Sequence, residues 1–218
     1  GYWKDEYEIA RSLELDSIEF ILDFHLSHLN PLLNDNGINS IIDISSKTGV
    51  KTKSVCADYF MERPIFDKNK DVRIANDKII KKLLHSCSKI GVEDIVIPCV
   101  DKSSLTSHQD KEVFISEISK YLNILEDLNI NFSLETDLPP EDFFNLINEF
   151  DSKNITVNYD IGNSASLGYS FIDELKYYGD RISNIHIKDR VYKGSSVILG
   201  TGNADIRSFL QEVSKIDY

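Results

Sequence analysis

Two hydrophobic rhythms alternate along this chain from end to end. Stretches with helical spacing at Trp3–Leu13, about Asn69–Ile90 and Lys111–Leu128 are separated by short apolar runs such as Ile95-Val-Ile97. The pattern predicts strands at Ser17–Leu22, Lys51–Asp58 and Asp94–Val100, and further strands ending at Glu135, Asp160 and His186. It predicts other helices near Pro31–Lys47 (interrupted around Gly37), from Pro139-Pro140 to about Phe150, near Tyr169–Tyr178, and from roughly Asp205 to Ser214. Proline suits a first helical turn, where its missing N–H leaves no bond unmade. Regular alternation of this kind means parallel strands joined by helical crossovers, and nearly continuous apolar strands are expected where both faces are buried.

This reading gives six strands and seven helices, starting on a helix and stopping at Lys215-Ile-Asp-Tyr218, where another strand is due. The expected fold is therefore an α/β (β/α)8 barrel, residues 1–218 forming a single domain that lacks its first and last strands. One strand before Gly1 and one after Tyr218 would complete eight. A six-stranded open α/β domain is the alternative, at the cost of exposed strand edges.

The ends of the last three strands change the picture from fold to chemistry. Asn131-Phe-Ser-Leu-Glu135, Ile155-Thr-Val-Asn-Tyr-Asp160 and Arg181-Ile-Ser-Asn-Ile-His186 each finish on a metal-ligand residue type. Their ends fall about one βα unit apart, given about 250 residues for eight such units, and a parallel barrel gathers the carboxyl ends of its strands around one mouth. Glu, Asp and His supply the oxygen and nitrogen donors of a divalent cation. Glu19 lies on the first strand, Asp58 ends the second and Asp101 follows the third, and a helix cap or a solvated side chain is the competing reading for each aspartate.

Composition narrows the partners. A formal charge of −12 argues against binding the phosphate backbone of nucleic acid, while leaving room for a local basic pocket. Cys56, Cys87 and Cys99 are widely spaced without a CxxC, which reads as buried free thiols in a reducing cytoplasm. No apolar run approaches the roughly 20 residues of a membrane span, and the charged opening Gly1-Tyr-Trp-Lys-Asp-Glu6 does not read as a signal peptide.

The residues after those strand ends carry a resemblance. Glu135-Thr-Asp137, Asp160-Ile-Gly-Asn163, His186-Ile-Lys-Asp189 followed by Arg190, and Leu199-Gly-Thr-Gly-Asn-Ala-Asp205 resemble the sugar-phosphate isomerase/epimerase family with the xylose-isomerase-like TIM barrel. The nearest flavour is that of the 3-epimerases of ketopentose and ketohexulose phosphates. The likeness reaches more weakly back to Trp3 and Leu15-Asp-Ser-Ile-Glu19.

The resemblance implies a divalent ion (Mn²⁺, Mg²⁺, Co²⁺ or Zn²⁺) held by Glu135, Asp160 and His186, with Glu135 also an acid/base. The family's further Glu would fall on a strand beyond this sequence. It also implies a small sugar or sugar-phosphate substrate and, often, a homodimer.

Around this centre the candidate substrate-contacting residues are Glu19, His25, Asp58, Asn163, Lys188, Asp189 and Lys193. Each has a plainer reading. Glu19 can make a structural ion pair, Lys188 and Asp189 an ordinary salt bridge, and Asn163 turn chemistry. His25 and His28 lie in a loop after a strand, where substrate contact competes with solvent exposure. His85 in a long helix and His108 in a polar loop read as structural or solvated. The loop Tyr192-Lys-Gly-Ser-Ser196, running on to Gly200 and Gly202, suits either a phosphate or an ordinary glycine-rich surface turn.

The expected activity is metal-dependent isomerisation or epimerisation, by proton abstraction beside a carbonyl through an enediolate. The alternatives are a polyol or keto-acid dehydratase of the same superfamily and a non-catalytic sugar-binding barrel. An endonuclease for abasic DNA needs a richer His and carboxylate cluster and a less acidic chain.

Overall fold

Hydrophobic alternation along the strands decides how this chain closes on itself. In the computed structural model, which describes residues 2–215, the elements run α1 (Trp3–Ser12), β1 (Ser17–Ile21), α2 (Asp35–Thr48), β2 (Lys51–Cys56), α3 (Tyr59–Glu62) and α4 (Lys70–Ile90). They continue β3 (Asp94–Cys99), α5 (His108–Ile118), α6 (Leu122–Leu128), β4 (Asn131–Thr136), α7 (Pro140–Asn148), β5 (Ile155–Asp160) and α8 (Ile161–Leu167). Last come α9 (Phe171–Tyr178), β6 (Ile182–His186), a small hairpin of β7 (Asp189–Arg190) and β8 (Ser196–Val197), and α10 (Ile206–Val213).

The six long strands form one parallel sheet in the order β1-β2-β3-β4-β5-β6, each beside its sequence neighbour, which makes a half-barrel. The strands expected before Gly1 and after Tyr218 lie outside the described residues.

Side chains alternate across a strand, and here the two sides differ in kind. Phe132 and Leu134 of β4, with Ile155, Val157 and Tyr159 of β5, belong to one buried cluster with Phe114, Ile118, Leu125, Phe143 and Ile147 of the helices. The intervening positions, Ser133 and Glu135 on β4 and Thr156, Asn158 and Asp160 on β5, are buried and polar. They bond one another across the strands, so the interior of this half-barrel is a polar column. Truncating one of the fully buried aromatic side chains of the outer layer, such as Phe132, to Ala should cost about 3–5 kcal/mol.

Departures from the sequence reading have local causes. Gly37 does not interrupt its helix. Asn34 caps α2 by accepting from the Gly37 amide at 2.7 Å, and a Cβ at Gly37 would come within 2.2 Å of the Pro31 carbonyl oxygen. The glycine thus lets the first turn of α2 close onto the 3-10 turn Pro31–Leu33.

The expected helix at Lys111–Leu128 starts earlier, at His108 behind a Ser107–Asp110 capping box, and is split by a 3-10 turn at Ser119–Tyr121. Asp160-Ile-Gly-Asn163 opens a helix rather than a turn, because Asp160 Oδ1 accepts from the Asn163 amide at 2.8 Å and caps α8. The short helix α3 and the β7–β8 hairpin have too few residues to show a period.

Among the described residues, no helix is long and apolar enough to cross a membrane. Cys56, Cys87 and Cys99 are free, and Cys87 and Cys99 are buried.

Candidate metal centre

Parallel pairing aligns the last residues of neighbouring strands. Asp160 stands opposite His186 across β5 and β6, and Glu135 opposite Pro98 across β4 and β3. Glu135, Asp160 and His186 thereby each present one donor atom, and the three lie within 4.8 Å of one another. His186 Nδ1 is 3.7 Å from Glu135 Oε2 and 3.9 Å from Asp160 Oδ2.

A shell of polar partners fixes these groups. Glu135 accepts from Asn158 Nδ2 at 2.7 Å on one oxygen and from Asn163 Nδ2 at 2.5 Å on the other. Asp160 Oδ2 faces Lys188 Nζ at 2.8 Å. Glu19 reaches from β1 across the interior to His186 Nε2 at 2.8 Å, and Ser54 Oγ donates to its other oxygen at 2.6 Å.

The electrostatics follow from three carboxylates sharing one small buried space. Burial pushes the Glu135 carboxyl above its ordinary range and the Asp160 charge adds to it, against weaker pulls from His186, Lys188 and Asn158. Burial by itself lowers the His186 imidazole, but the hydrogen bond and charge of Glu19, with the Glu135 and Asp160 charges, hold it above its ordinary value. Burial likewise raises Glu19, and the His186 bond and charge, with Ser54 and Asn184, bring it below the usual carboxylate range. Two carboxylate oxygens and an imidazole nitrogen at this spacing are a donor set that fits a divalent ion.

The other residues singled out from the sequence separate into groups. Glu19, Asn163 and Lys188 contact the three donor residues directly. Asp189 is buried beside them but faces away from the centre. Its carboxylate accepts from the Gly200, Gly202 and Ala204 amides at 2.9, 2.7 and 3.0 Å. A Cβ at Gly202 would come within 2.3 Å of Asp189 Oδ1, so this loop closes on its anchor only with glycine there.

Asp58 precedes α3 without capping it and accepts from Cys56 Sγ at 3.2 Å. His25 and His28 are exposed, and the His25 ring stacks edgewise on Phe24. Lys193 is exposed, its Nζ 5.1 Å above the Tyr192 ring. His85 and His108 are exposed, and Asp101 begins a 3-10 turn.

The site also holds residues that the sequence reading passed over. Asn158 and Asn184 lie two positions before Asp160 and His186, and Asn184 Nδ2 donates to Asn158 Oδ1 at 2.9 Å. Their place in the strand period was the available signal. Arg190 donates from Nη1 to Asn163 Oδ1 at 2.8 Å and from Nε and Nη2 to the Gly194 carbonyl, tying the hairpin turn to the Asn163–Glu135 contact. Nothing in its local sequence marked that link.

With this geometry in place, the comparisons are direct. The model of the family described as xylose isomerase-like TIM barrel matches residues 7–218. The chain belongs to that family. Within the xylose isomerase-like barrels, the chain is 25% identical over 235 aligned positions to the Haemophilus influenzae protein named "Putative L-ribulose-5-phosphate 3-epimerase SgbU", covering 99% of this chain and 80% of that protein.

It is 24% identical over 164 residues to the uncharacterized protein MJ1311 of Methanocaldococcus jannaschii, covering 69% of this chain and 56% of that protein, little over half its length. The crystal structure of the IOLI protein with a bound zinc atom superposes with a TM-score of 0.80 at 17% identity, over 99% of this chain and 80% of that one. That likeness shows the fold.

Proposed function

We propose that this protein is a divalent-metal-dependent isomerase or epimerase of a small sugar or sugar phosphate. The observation that carries the reading is the convergence of Glu135, Asp160 and His186 donors within 4.8 Å at the mouth of a xylose isomerase-like barrel. The name of the Haemophilus relative and the zinc in the IOLI structure support the same class.

Glu135, Asp160 and His186 would hold the ion. When bound there, a divalent cation supplies Lewis acidity that favours negative charge on oxygen beside the carbon losing its proton. The chain's own groups do the rest. Glu135 is the carboxylate that takes or returns the proton, and Asn158 and Asn163 fix the direction of its oxygens. Lys188, half-exposed beside Asp160, lies where a substrate hydroxyl or carbonyl oxygen would meet a cation. Arg190 holds Asn163 from behind and so keeps the hairpin close to the proton-transfer site. Free cysteines fit a reducing cytoplasm, and we place the protein there as one domain.

The test has two stages. Elemental analysis of the purified protein should find about one divalent ion per chain, lost in the Glu135→Ala, Asp160→Ala, His186→Ala variant. Incubation with ketoses and ketose phosphates in deuterated water should then place deuterium on the carbon beside the carbonyl. Bound metal without exchange into any of them would leave a sugar-binding barrel and sink the enzymatic reading.

A further inference from the structure

Glu19 stands on β1, at the far side of the half-barrel from the ligand histidine, yet it makes the shortest contact His186 has. We infer that Glu19 is a positioning residue that fixes the tautomer of His186, so that Nδ1 is the nitrogen left free to bind the ion. This inference rests on the metal-centre reading above and extends it to a residue on a strand that supplies none of the three donors.

The argument is a closed ring of hydrogen bonds whose directions agree. Asn184 Nδ2 donates to Glu19 Oε2 at 3.2 Å and to Asn158 Oδ1 at 2.9 Å. With its oxygen thus occupied, Asn158 turns its NH2 toward Glu135 Oε2 and toward His186 Nδ1, at 2.7 and 3.2 Å. A donor facing Nδ1 requires a lone pair there, and an imidazole with a lone pair on Nδ1 carries its proton on Nε2. Nε2 is the nitrogen that meets Glu19 Oε1, an acceptor, at 2.8 Å.

Two independent contacts, one on each ring nitrogen, therefore call for the same tautomer. Ser54 Oγ, donating to Glu19 Oε2 at 2.6 Å, stops the carboxylate from swinging away. A carboxylate on the remote nitrogen also strengthens the ligating one, and losing such a partner typically weakens metal affinity about 10–100-fold.

The test is Glu19→Gln, which keeps the shape of the side chain and offers an NH2 to Nε2. Calorimetric titration with Mn²⁺ or Zn²⁺ should show binding weakened about 10–100-fold. Long-range ¹⁵N–¹H spectra of the ion-free wild type at mildly alkaline pH should show His186 protonated on Nε2, and that pattern should be lost in E19Q. Wild-type affinity in E19Q together with an unchanged tautomer would overturn the inference.

Should E19Q not fold, Ser54→Ala leaves the carboxylate in place but unclamped. A several-fold loss of affinity would support the positioning role, and an unchanged affinity would overturn it. Wild-type protein that takes up neither ion while folded overturns the metal centre itself, a result distinct from any difference between wild type and variant.

Discussion

Ser133 and Glu135 sit two positions apart on β4, face the same interior, and stand in contrasting surroundings. At the level of Ser133 the column carries one carboxylate, Asp94, which accepts from Ser133 Oγ at 2.7 Å, from Asn131 Nδ2 at 3.1 Å and from Ser183 Oγ. Thr156 Oγ1 closes that layer at 2.9 Å from Ser133 Oγ. At the level of Glu135 the same strands present carboxylates crowded around one imidazole. The lower layer surrounds a single charge with hydroxyl and amide donors, so its polar groups are satisfied by the chain itself. The upper layer concentrates like charges in a buried place beside Lys188 and His186, and this is the donor set on which the proposed metal centre rests. On the proposed function, two layers of one barrel divide stability from chemistry, as the two ends of such barrels do.

The largest expected effect comes from Glu135→Gln, which attacks that division at its upper end. On the proposed role of Glu135 as proton acceptor, its loss should reduce deuterium exchange into substrate by about 10²–10⁴-fold. The ion-free protein should respond in the opposite sense. Removing one of the crowded buried charges relieves more repulsion than is lost with one amide contact, since the single carbonyl oxygen of Gln can serve either Asn158 or Asn163, and should raise its melting temperature in the presence of a chelator. A lower melting temperature in chelator would mean that the lost amide contact outweighs the relieved repulsion, and the contrast between the layers would fail.

Ser133→Ala attacks the lower end. It removes one donor to Asp94, leaving Thr156 held through Ser183 alone and a buried carboxylate less well satisfied, for an expected loss of about 1–3 kcal/mol in denaturant unfolding. Metal content should stay at the wild-type level. Loss of the ion in this variant would show that the two layers act as one unit.

The division into layers explains what could be read from the sequence. Glu135, Asp160 and His186 were legible because strand ends in a parallel barrel meet at one mouth, so spacing alone brings them together. Asp189 looked equally functional beside Lys188, yet its carboxylate organises the Gly200–Ala204 backbone, a choice decided by where a distant loop folds back. Glu19 to His186 is a contact across more than half the chain, and nothing local to either residue announces it. Gly37 misled in the other direction, because its tolerance in a helix depends on the Pro31 backbone packed against it. Period and spacing report what a segment does. Partner choice belongs to the folded whole.

A third buried carboxylate sharpens the comparison with the smallest effect. Glu174 of α9 lies just outside the mouth, among hydroxyls as Asp94 is. It accepts from Tyr159 Oη at 2.8 Å, from Tyr178 Oη at 2.9 Å and from Ser164 Oγ. Burial nevertheless outweighs those three bonds, and its pKa is raised. A carboxyl whose folded pKa exceeds its unfolded value binds its proton more tightly when folded. It therefore contributes stability that is fully present below about pH 4.3, the unfolded glutamate value, and is lost as pH rises through the folded pKa. Glu174 should therefore add a downward component to the slope of the wild-type unfolding free energy with rising pH. Glu174→Gln, which keeps an oxygen for the hydroxyls and cannot ionise, should remove it. An unchanged slope would mean that the three hydroxyls offset the burial of Glu174 fully. That outcome would leave the mouth as the one place, among the described residues discussed, where the fold holds buried charge in excess of its own partners.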